Sequence, residues 1–348
     1  MRNRKQYSSF TIIAMGLTFL FIIGSLLCKI SSVTSPEEGG FWVIMSIMTP
    51  LFIAADSILL LIWLIRRHYT TSIIIAITIA INLPFVFSVL QLRPHVQKST
   101  SSDFKIATLN TFGFRKFPST QYTVESIANA MEAHKTDIAC LQEYVDNKEC
   151  PTDQIIKIFS KTLPYHAIEG SQAIFSKYPI QNYRYKLFEG GNNDYMIANL
   201  LIQGKAVKII SVHLQSTGIS FIQGHANGMS KEMKFNQMIS SLEVSGKYRA
   251  IQVQEIRRIA DSTSSPTIIA GDFNDLPSSY TYHHLKGKMK DGFKVAGHGF
   301  ESTFSPMHDV MRIDYIFFDK GLKCIDYSNL PETLSDHKAV IANVKLVE

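Results

Sequence analysis

The spacing of apolar residues divides the chain into two unlike parts. Apolar runs at 10–30, 41–65 and 72–92 fill the first quarter, separated by short polar loops. A helix needs roughly 20 residues to cross a bilayer core of about 30 Å, and each run has that length. They predict a membrane anchor of three transmembrane helices over residues 1–92. No small-residue cleavage site follows the first run, so it is expected to stay as an anchor. Residues 93–103 are polar and aperiodic and read as a linker. From 104 to 348, short apolar runs alternate with amphipathic ones. Strands are predicted at 104–109, 138–141, 173–175, 195–202, 206–214, 267–270, 312–318 and 339–346, and helices at 123–134 and 249–262. Gln203-Gly204 between two of these strands predicts a hairpin. Hairpins mixed with helices predict a two-layered α/β domain and argue against a doubly wound parallel sheet.

Charge adds an orientation. Arg2, Arg4 and Lys5 precede the first run and Arg66 and Arg67 lie between the second and third, whereas the loop at 31–40 carries Glu37 and Glu38 and no basic residue. Positive charge stays inside, so the N-terminus and the Arg66 loop are expected in the cytoplasm. The expected localisation is the cell membrane, multi-pass, with everything after Leu92 on the extracytoplasmic side. Asp56 is the one carboxylate within a run; with no basic partner in the neighbouring runs, it reads as a helix-packing or water-facing group without chemistry. Of 35 Lys+Arg and 29 Asp+Glu, residues 1–99 hold 8 and 3, leaving a nearly balanced 27 and 26 for the rest. A balanced domain lacks the net basic excess with which proteins grip long nucleic acid.

Cys28, Cys140, Cys150 and Cys324 are too scattered for a metal site. Cys140 reads as a core residue, and an extracytoplasmic domain would permit a Cys150–Cys324 disulfide. After the strand ending near His213 comes a long insertion, 215–248, with Gly218, Gly224, Gly228 and Gly246 and an amphipathic run at 231–242. It reads as a cover for a site, a membrane contact or a plain surface excursion.

The candidate chemistry gathers at strand ends. In Ile268-Ile269-Ala270-Gly271-Asp272-Phe273-Asn274-Asp275-Leu276-Pro277 an apolar strand runs into Asp272 and Asn274, two positions apart and therefore on one side of the pleat. Asn110 and Glu143 end the first two strands, His213 ends the hairpin strand, Asp314 opens a later strand, and Ser335-Asp336-His337 precedes the last. Each has a bland explanation taken singly, as a turn residue, a cap or a satisfied core histidine. Together, two histidines, several carboxylates and two asparagines at strand ends or just beyond them are hard to explain as structure alone.

These motifs, in this order, resemble the endonuclease/exonuclease/phosphatase superfamily, which includes secreted deoxyribonucleases, abasic-site endonucleases, neutral sphingomyelinases and inositol polyphosphate phosphatases. The resemblance spans residues 104–348 and rests on Gly271-Asp272-Phe273-Asn274 followed by Ser335-Asp336-His337. It implies a four-layer α/β sandwich of two packed, mostly antiparallel sheets with outer helices. It also implies Mg²⁺, or Mn²⁺ in its place, with Glu143 as main ligand and Asn110 and Asp336 beside the metal. Asp272 would orient or deprotonate the attacking water and Asn274 would hold a phosphoryl oxygen. His337, oriented by Asp314, and His213 would stabilise the charge on the phosphate, one of them protonating the leaving oxygen. Phe112 and His213 stand where abasic-site endonucleases carry an acidic residue and a tyrosine, which places the chain nearer the deoxyribonuclease and sphingomyelinase branch.

The expected function is a membrane-anchored, Mg²⁺-dependent phosphoric ester hydrolase. Its substrate is a lipid head group, a small phosphodiester or nucleic acid, with lipid-linked or small phosphodiesters expected to exceed duplex DNA. The alternatives are a nuclease acting on DNA or RNA outside the cytoplasm and a membrane-tethered binding module without activity. No protein partner is evident from the sequence.

Overall fold

The computed structural model describes residues 8–94, 104–191, 193–218, 230–307 and 309–347. The apolar runs form α1 (Ser9–Ser31), α2 (Phe41–Ile65) and α3 (Tyr69–Val89), three helices long and apolar enough to cross a membrane. Apolar surface alone does not hold helices together in lipid, and here polar bonds join them. Ser25 Oγ on α1 donates to Asp56 Oδ2 on α2 at 2.5 Å, and Trp63 Nε1 on α2 donates to Thr18 Oγ1 on α1 at 2.7 Å. Asn82 Nδ2 on α3 reaches the Ser25 carbonyl at 3.2 Å. Asp56 is thus buried at a helix contact.

The third run is not helical to its end. Leu90 and Gln91 leave the helix as β1 (Leu90–Gln91), which pairs antiparallel with β11 (Gly299–Phe300). Of the linker, residues 95–103 lie outside the described residues. Arg93 donates to the carbonyls of Lys294 and Val295. The Glu301 N–H donates to the Val89 carbonyl at 2.9 Å. The C-terminal domain is therefore docked on the bundle end where α1 and α3 finish and α2 begins, rather than held off by a free tether.

Beyond the linker follow β2 (Phe104–Asn110), α4 (Thr120–Ala133), β3 (Ile138–Gln142), α5 (Thr152–Phe159), β4 (Tyr165–Glu169), β5 (Gln172–Ser176), β6 (Ile180–Leu187), β7 (Asp194–Ile202) and β8 (Lys205–His213). The chain continues through α6 (Lys231–Asp261), β9 (Thr267–Asp272), α7 (Tyr280–Lys286), β10 (Lys290–Asp291), α8 (Gly292–Ala296) and β11, then β12 (Asp314–Phe318), β13 (Leu322–Asn329) and β14 (Val340–Leu346). The strands form two six-stranded sheets, ordered β13-β14-β2-β3-β5-β4 and β10-β12-β9-β8-β7-β6. Only β2–β3 and β8–β9 pair in parallel within them.

Three cores separate four layers. Ile106, Ile138 and Cys140 of one sheet meet Met196, Ile209 and Ile268 of the other between the sheets. On the outer faces, Val124, Ile127 and Phe159 of α4 and α5 cover Leu109 and Leu141, and Val253, Ile256 and Leu285 of α6 and α7 cover Ile210, Val212 and Ile269. This helix–sheet–sheet–helix sandwich is the four-layer fold the resemblance implies, and it replaces the two-layered reading of the apolar pattern. The reason lies in strands such as β9, in which every position is buried, so the apolar run does not say how many layers cover it. In these sheets β4, β6, β10 and β13, absent from the predicted elements, are the four edge strands. In β4 and β6 most positions are exposed or half-buried, and a period-2 pattern has little to act on. The helix α5 was also not marked by the pattern.

Two further expectations are corrected. The run at 231–242 and the helix at 249–262 are one helix, α6; Gly246 between them does not break it but gives α2 room to approach. Residues 219–229 of the insertion lie outside the described residues. All four cysteines are free and buried, with Cys150 in the outer core under α4 and α5 and Cys324 in the core between the sheets, so they do not pair.

Candidate active site

Strand register places the polar strand ends together. In the parallel pairs Asn110 lies opposite Gln142, which precedes Glu143, and His213 lies opposite Asp272; in the antiparallel pair Asp272 lies opposite Asp314. Gly271 permits this spacing. A Cβ there would stand 1.9 Å from the Val212 carbonyl oxygen, and its φ of 145° disfavours other residues. At the strand ends Glu143 and Asn274 both take φ of 51°, a left-handed turn that non-glycine residues adopt at a cost.

Asp272 is the centre of the cluster. It is 1% exposed. Its Oδ1 accepts from the Asn274 N–H at 2.8 Å, and its Oδ2 accepts from Asn110 Nδ2 at 3.1 Å and Asn274 Nδ2 at 3.2 Å. Asn110 Nδ2 also donates to Glu143 Oε1 at 3.0 Å, bridging the two carboxylates, while Asn110 Oδ1 accepts from the Phe112 N–H at 3.0 Å. His213 Nε2 lies 3.7 Å from Glu143 Oε1 and 3.8 Å from Asp272 Oδ2. His337 Nδ1 meets Asp314 Oδ2 at 3.0 Å, and its Nε2 is 3.7 Å from Asp272 Oδ2. Asp314 is itself placed by Thr303, whose hydroxyl accepts from the Ile313 and Asp314 N–H groups, each at 3.0 Å.

The electrostatics follow from burial and opposite charge. Burial alone would lower the His337 pKa; the Asp314 and Asp272 carboxylates outweigh it and push it up to about 10, so the imidazole carries its proton at neutral pH. Burial raises the Asp272 pKa against the pull of His337. Burial likewise raises that of Asp336, opposed by His337 and reinforced by the charge of Glu143.

These residues fit a divalent cation. Glu143, Asp272 and Asp314 converge around two histidines, and the buried His213 Nε2 has no hydrogen-bond partner; Asp336 adjoins His337 in the chain and feels the charge of Glu143. Oxygen donors in excess suit a hard cation such as Mg²⁺. Asp272, Asp314 and His337 place ligand atoms within 4.8 Å of one another, but His337 and Asp314 already satisfy each other as an ion pair. Glu143, whose side chain is 35% exposed, together with Asp336 leaves the more available oxygens.

Asn110, Glu143, His213, Asp272, Asn274, Asp314 and His337 are joined by these contacts, with two refinements, whereas the Asp336 carboxylate takes its hydrogen bond from Ser335 Oγ at 3.1 Å. Asn110 turns its nitrogen, not its oxygen, toward Glu143 and Asp272. Asn274 Nδ2 is already engaged by Asp272 Oδ2 and, at 2.9 Å, by the Leu214 carbonyl. Both therefore act here as props for the carboxylates. Sequence reading missed Thr303, Phe304 and Arg249. The Phe304 ring lies 4.9 Å from that of His337, and Arg249 Nε holds Asp275 Oδ2 at 3.1 Å. Asp275 adjoins the central motif and could have been included; Thr303 lies in an aperiodic loop that carries no such signal. A polar chain below the site was also missed: Gln142 Nε2 donates to Ser211 Oγ at 3.0 Å and Ser211 Oγ to Gln172 Oε1 at 2.6 Å.

Comparison with known proteins places this geometry. A family model described as the Endonuclease/Exonuclease/phosphatase family matches residues 107–337. Truncated Caenorhabditis elegans TDP2 is similar in structure, with TM-score 0.51 and 18% identity over 70% of this chain and 98% of that one. A family protein from Bacteroides thetaiotaomicron gives TM-score 0.51 and 18% identity over 71% of this chain and 98% of that one. One from Leptotrichia buccalis gives 0.51 and 15% over 70% and 100%. No curated protein sequence matches the chain. At these identities the structures show a shared fold. The fold is that of a family whose members are divalent-metal-dependent phosphoesterases and nucleases. The chain belongs to the endonuclease/exonuclease/phosphatase family.

Proposed function

We propose that the protein is a membrane-anchored, Mg²⁺-dependent phosphodiesterase whose catalytic domain faces the extracytoplasmic side and whose substrate is a lipid head group or a small phosphodiester. The observation that carries the chemistry is the buried Asp272 carboxylate, held by three N–H donors between His213 and the protonated His337. Asp272 Oδ2 accepts a proton from the attacking water, and Asn110 and Asn274 hold that carboxylate in place. His337, fixed through Nδ1 by Asp314, presents its Nε2 proton to the charge developing on the phosphate and to the leaving oxygen. His213 lines the same space from the opposite strand. Glu143 and Asp336 would hold Mg²⁺, or Mn²⁺ in its place, which when bound supplies Lewis-acid stabilisation of the phosphoryl oxygens.

The position of the site supports the substrate class. Ser278, four residues after Asn274, donates to the Ser46 carbonyl within the first two turns of α2 at 2.7 Å. Four residues reach at most about 14 Å. Candidate catalytic groups so close to a membrane helix end suit a substrate at the bilayer surface better than a long duplex. The full-length protein in lipid nanodiscs, supplied with Mg²⁺ at about 150 mM salt, is expected to cleave phospholipid or small phosphodiesters faster than plasmid DNA. Rapid plasmid degradation with phospholipids and small phosphodiesters intact would establish the nuclease reading instead. Turnover of none of these substrates with Mg²⁺ or Mn²⁺ would leave a binding module.

Orientation is tested separately. Exposed Tyr122 and Val145 lie in the catalytic domain, and exposed Ile65 ends α2 at the opposite end of the bundle. Cysteines introduced at Tyr122 and Val145 should react with a membrane-impermeant thiol reagent on intact cells, and one at Ile65 should not. The reverse pattern would put the domain in the cytoplasm.

A further inference from the structure

Several contacts between bundle and domain fall beside the segments that carry the candidate catalytic residues. Ser278 closes the loop that begins at Asn274, and its hydroxyl is bonded to α2 through the Ser46 carbonyl at 2.7 Å. Arg249 of α6, 1% exposed, grips the same loop through Asp275 at 3.1 Å and, through Nη1, the Gln215 carbonyl at 2.8 Å. Gln215 stands two residues past His213. One turn before Arg249, Gly246 lies against α2, where an added Cβ would stand 2.5 Å from Val43 Cγ2.

The third contact reaches the remaining catalytic strand. Arg312, 0% exposed and two residues before Asp314, holds Asp291 through both terminal nitrogens at 2.8 and 2.7 Å. The same Nη1 donates to the Ser88 carbonyl at the end of α3 at 2.8 Å. The Tyr315 hydroxyl then donates to both the Arg312 and Asp275 carbonyls, at 2.7 and 2.8 Å, tying the third contact to the first loop. A tether needs none of this. Burying two guanidinium groups is unfavourable unless each is paired, and here both pairs sit at the junction between membrane helices and site.

We propose that the membrane bundle is a positioning element of the active site, with Arg249, Ser278 and Arg312 as positioning residues that set the loops carrying His213, Asn274 and Asp314 against the ends of α2 and α3. This rests on the hydrolase reading for its kinetic consequence only; the mechanical coupling stands apart from it. Displacing a reacting group by about 1 Å can cost about 10²-fold in rate, so prying the bundle from α6 should act on turnover more than on substrate binding.

The test uses the full-length protein in nanodiscs. Gly246→Ala inserts a methyl group against Val43, while alanine is the better helix former, so α6 itself is not weakened. Hydrogen exchange at 272–278 and 312–316 is expected to accelerate severalfold. With bis(p-nitrophenyl) phosphate and Mg²⁺, kcat should fall about tenfold with KM little changed. Adding Val43→Ala, which removes the obstructing methyl groups, should return both readouts toward the parental values. Ser278→Ala, which removes one hydroxyl, should accelerate exchange at 272–278 alone and serves if Gly246→Ala does not fold. Parental exchange and kcat in these variants, or losses that Val43→Ala does not reverse, would overturn the proposal and reduce the bundle to an anchor. Coupled exchange in a protein that hydrolyses no phosphoester would keep the positioning role and remove the hydrolase reading.

Discussion

Replacing Asp272 with asparagine is expected to lower kcat about 10³-fold on any phosphodiester the protein accepts. Asparagine matches the carboxylate in shape, and its oxygen can still accept from the Asn274 N–H, as Oδ1 does at 2.8 Å. Its nitrogen, however, would face Asn110 Nδ2 and Asn274 Nδ2, which now donate to Oδ2 at 3.1 and 3.2 Å, and it cannot take a proton from water. Stability should change little. The buried carboxylate next to Asp314 is itself unfavourable, as its raised pKa shows, so removing its charge offsets the two lost hydrogen bonds. Steady-state kinetics beside thermal melting decides the matter. A variant within tenfold of the parental kcat would show that Asp272 is not the proton acceptor.

Glu143→Gln and His337→Ala are expected to fail in different ways. Glu143 reaches the site from a left-handed turn and offers oxygens on the solvent side, so in the proposed site its charge would hold the cation. Glu143→Gln should lower activity about 10²- to 10³-fold at ordinary Mg²⁺ and recover part of it as Mg²⁺ is raised. His337 is ion-paired to Asp314 at 3.0 Å and, in the proposed mechanism, acts on the phosphate. His337→Ala should lower kcat by about 10²-fold with the Mg²⁺ midpoint unchanged. Titrations of Mg²⁺ against initial rate separate the two, and identical curves would refute the division of roles.

The residues of the candidate site are legible in the sequence because they flank apolar runs, most of them where such a run stops. Asn110, Glu143, His213 and Asp272 all end or directly follow buried strands, and a polar residue at that point is conspicuous. Their supports were not legible. Thr303 acts through one hydroxyl in a loop without periodicity, and Arg249 sits on a helix where a long basic side chain ordinarily faces water. The edge strands β4 and β6 escaped for a related reason: with most positions exposed or half-buried, burial leaves little mark on their residue types.

The sequence by itself determined the three apolar helices, the buried strands and the identity of the polar groups at their ends. Those properties depend on local composition and on neighbours a few positions away. What only the tertiary structure decided is which groups face each other. Register sets Asp272 opposite both His213 and Asp314, and a shift by one residue would have turned every side chain to the other face. The hydrogen bonds that dock the domain on the bundle were likewise invisible where they end on the backbone carbonyls of Ser88 and Val89, since a carbonyl has the same chemistry in every residue.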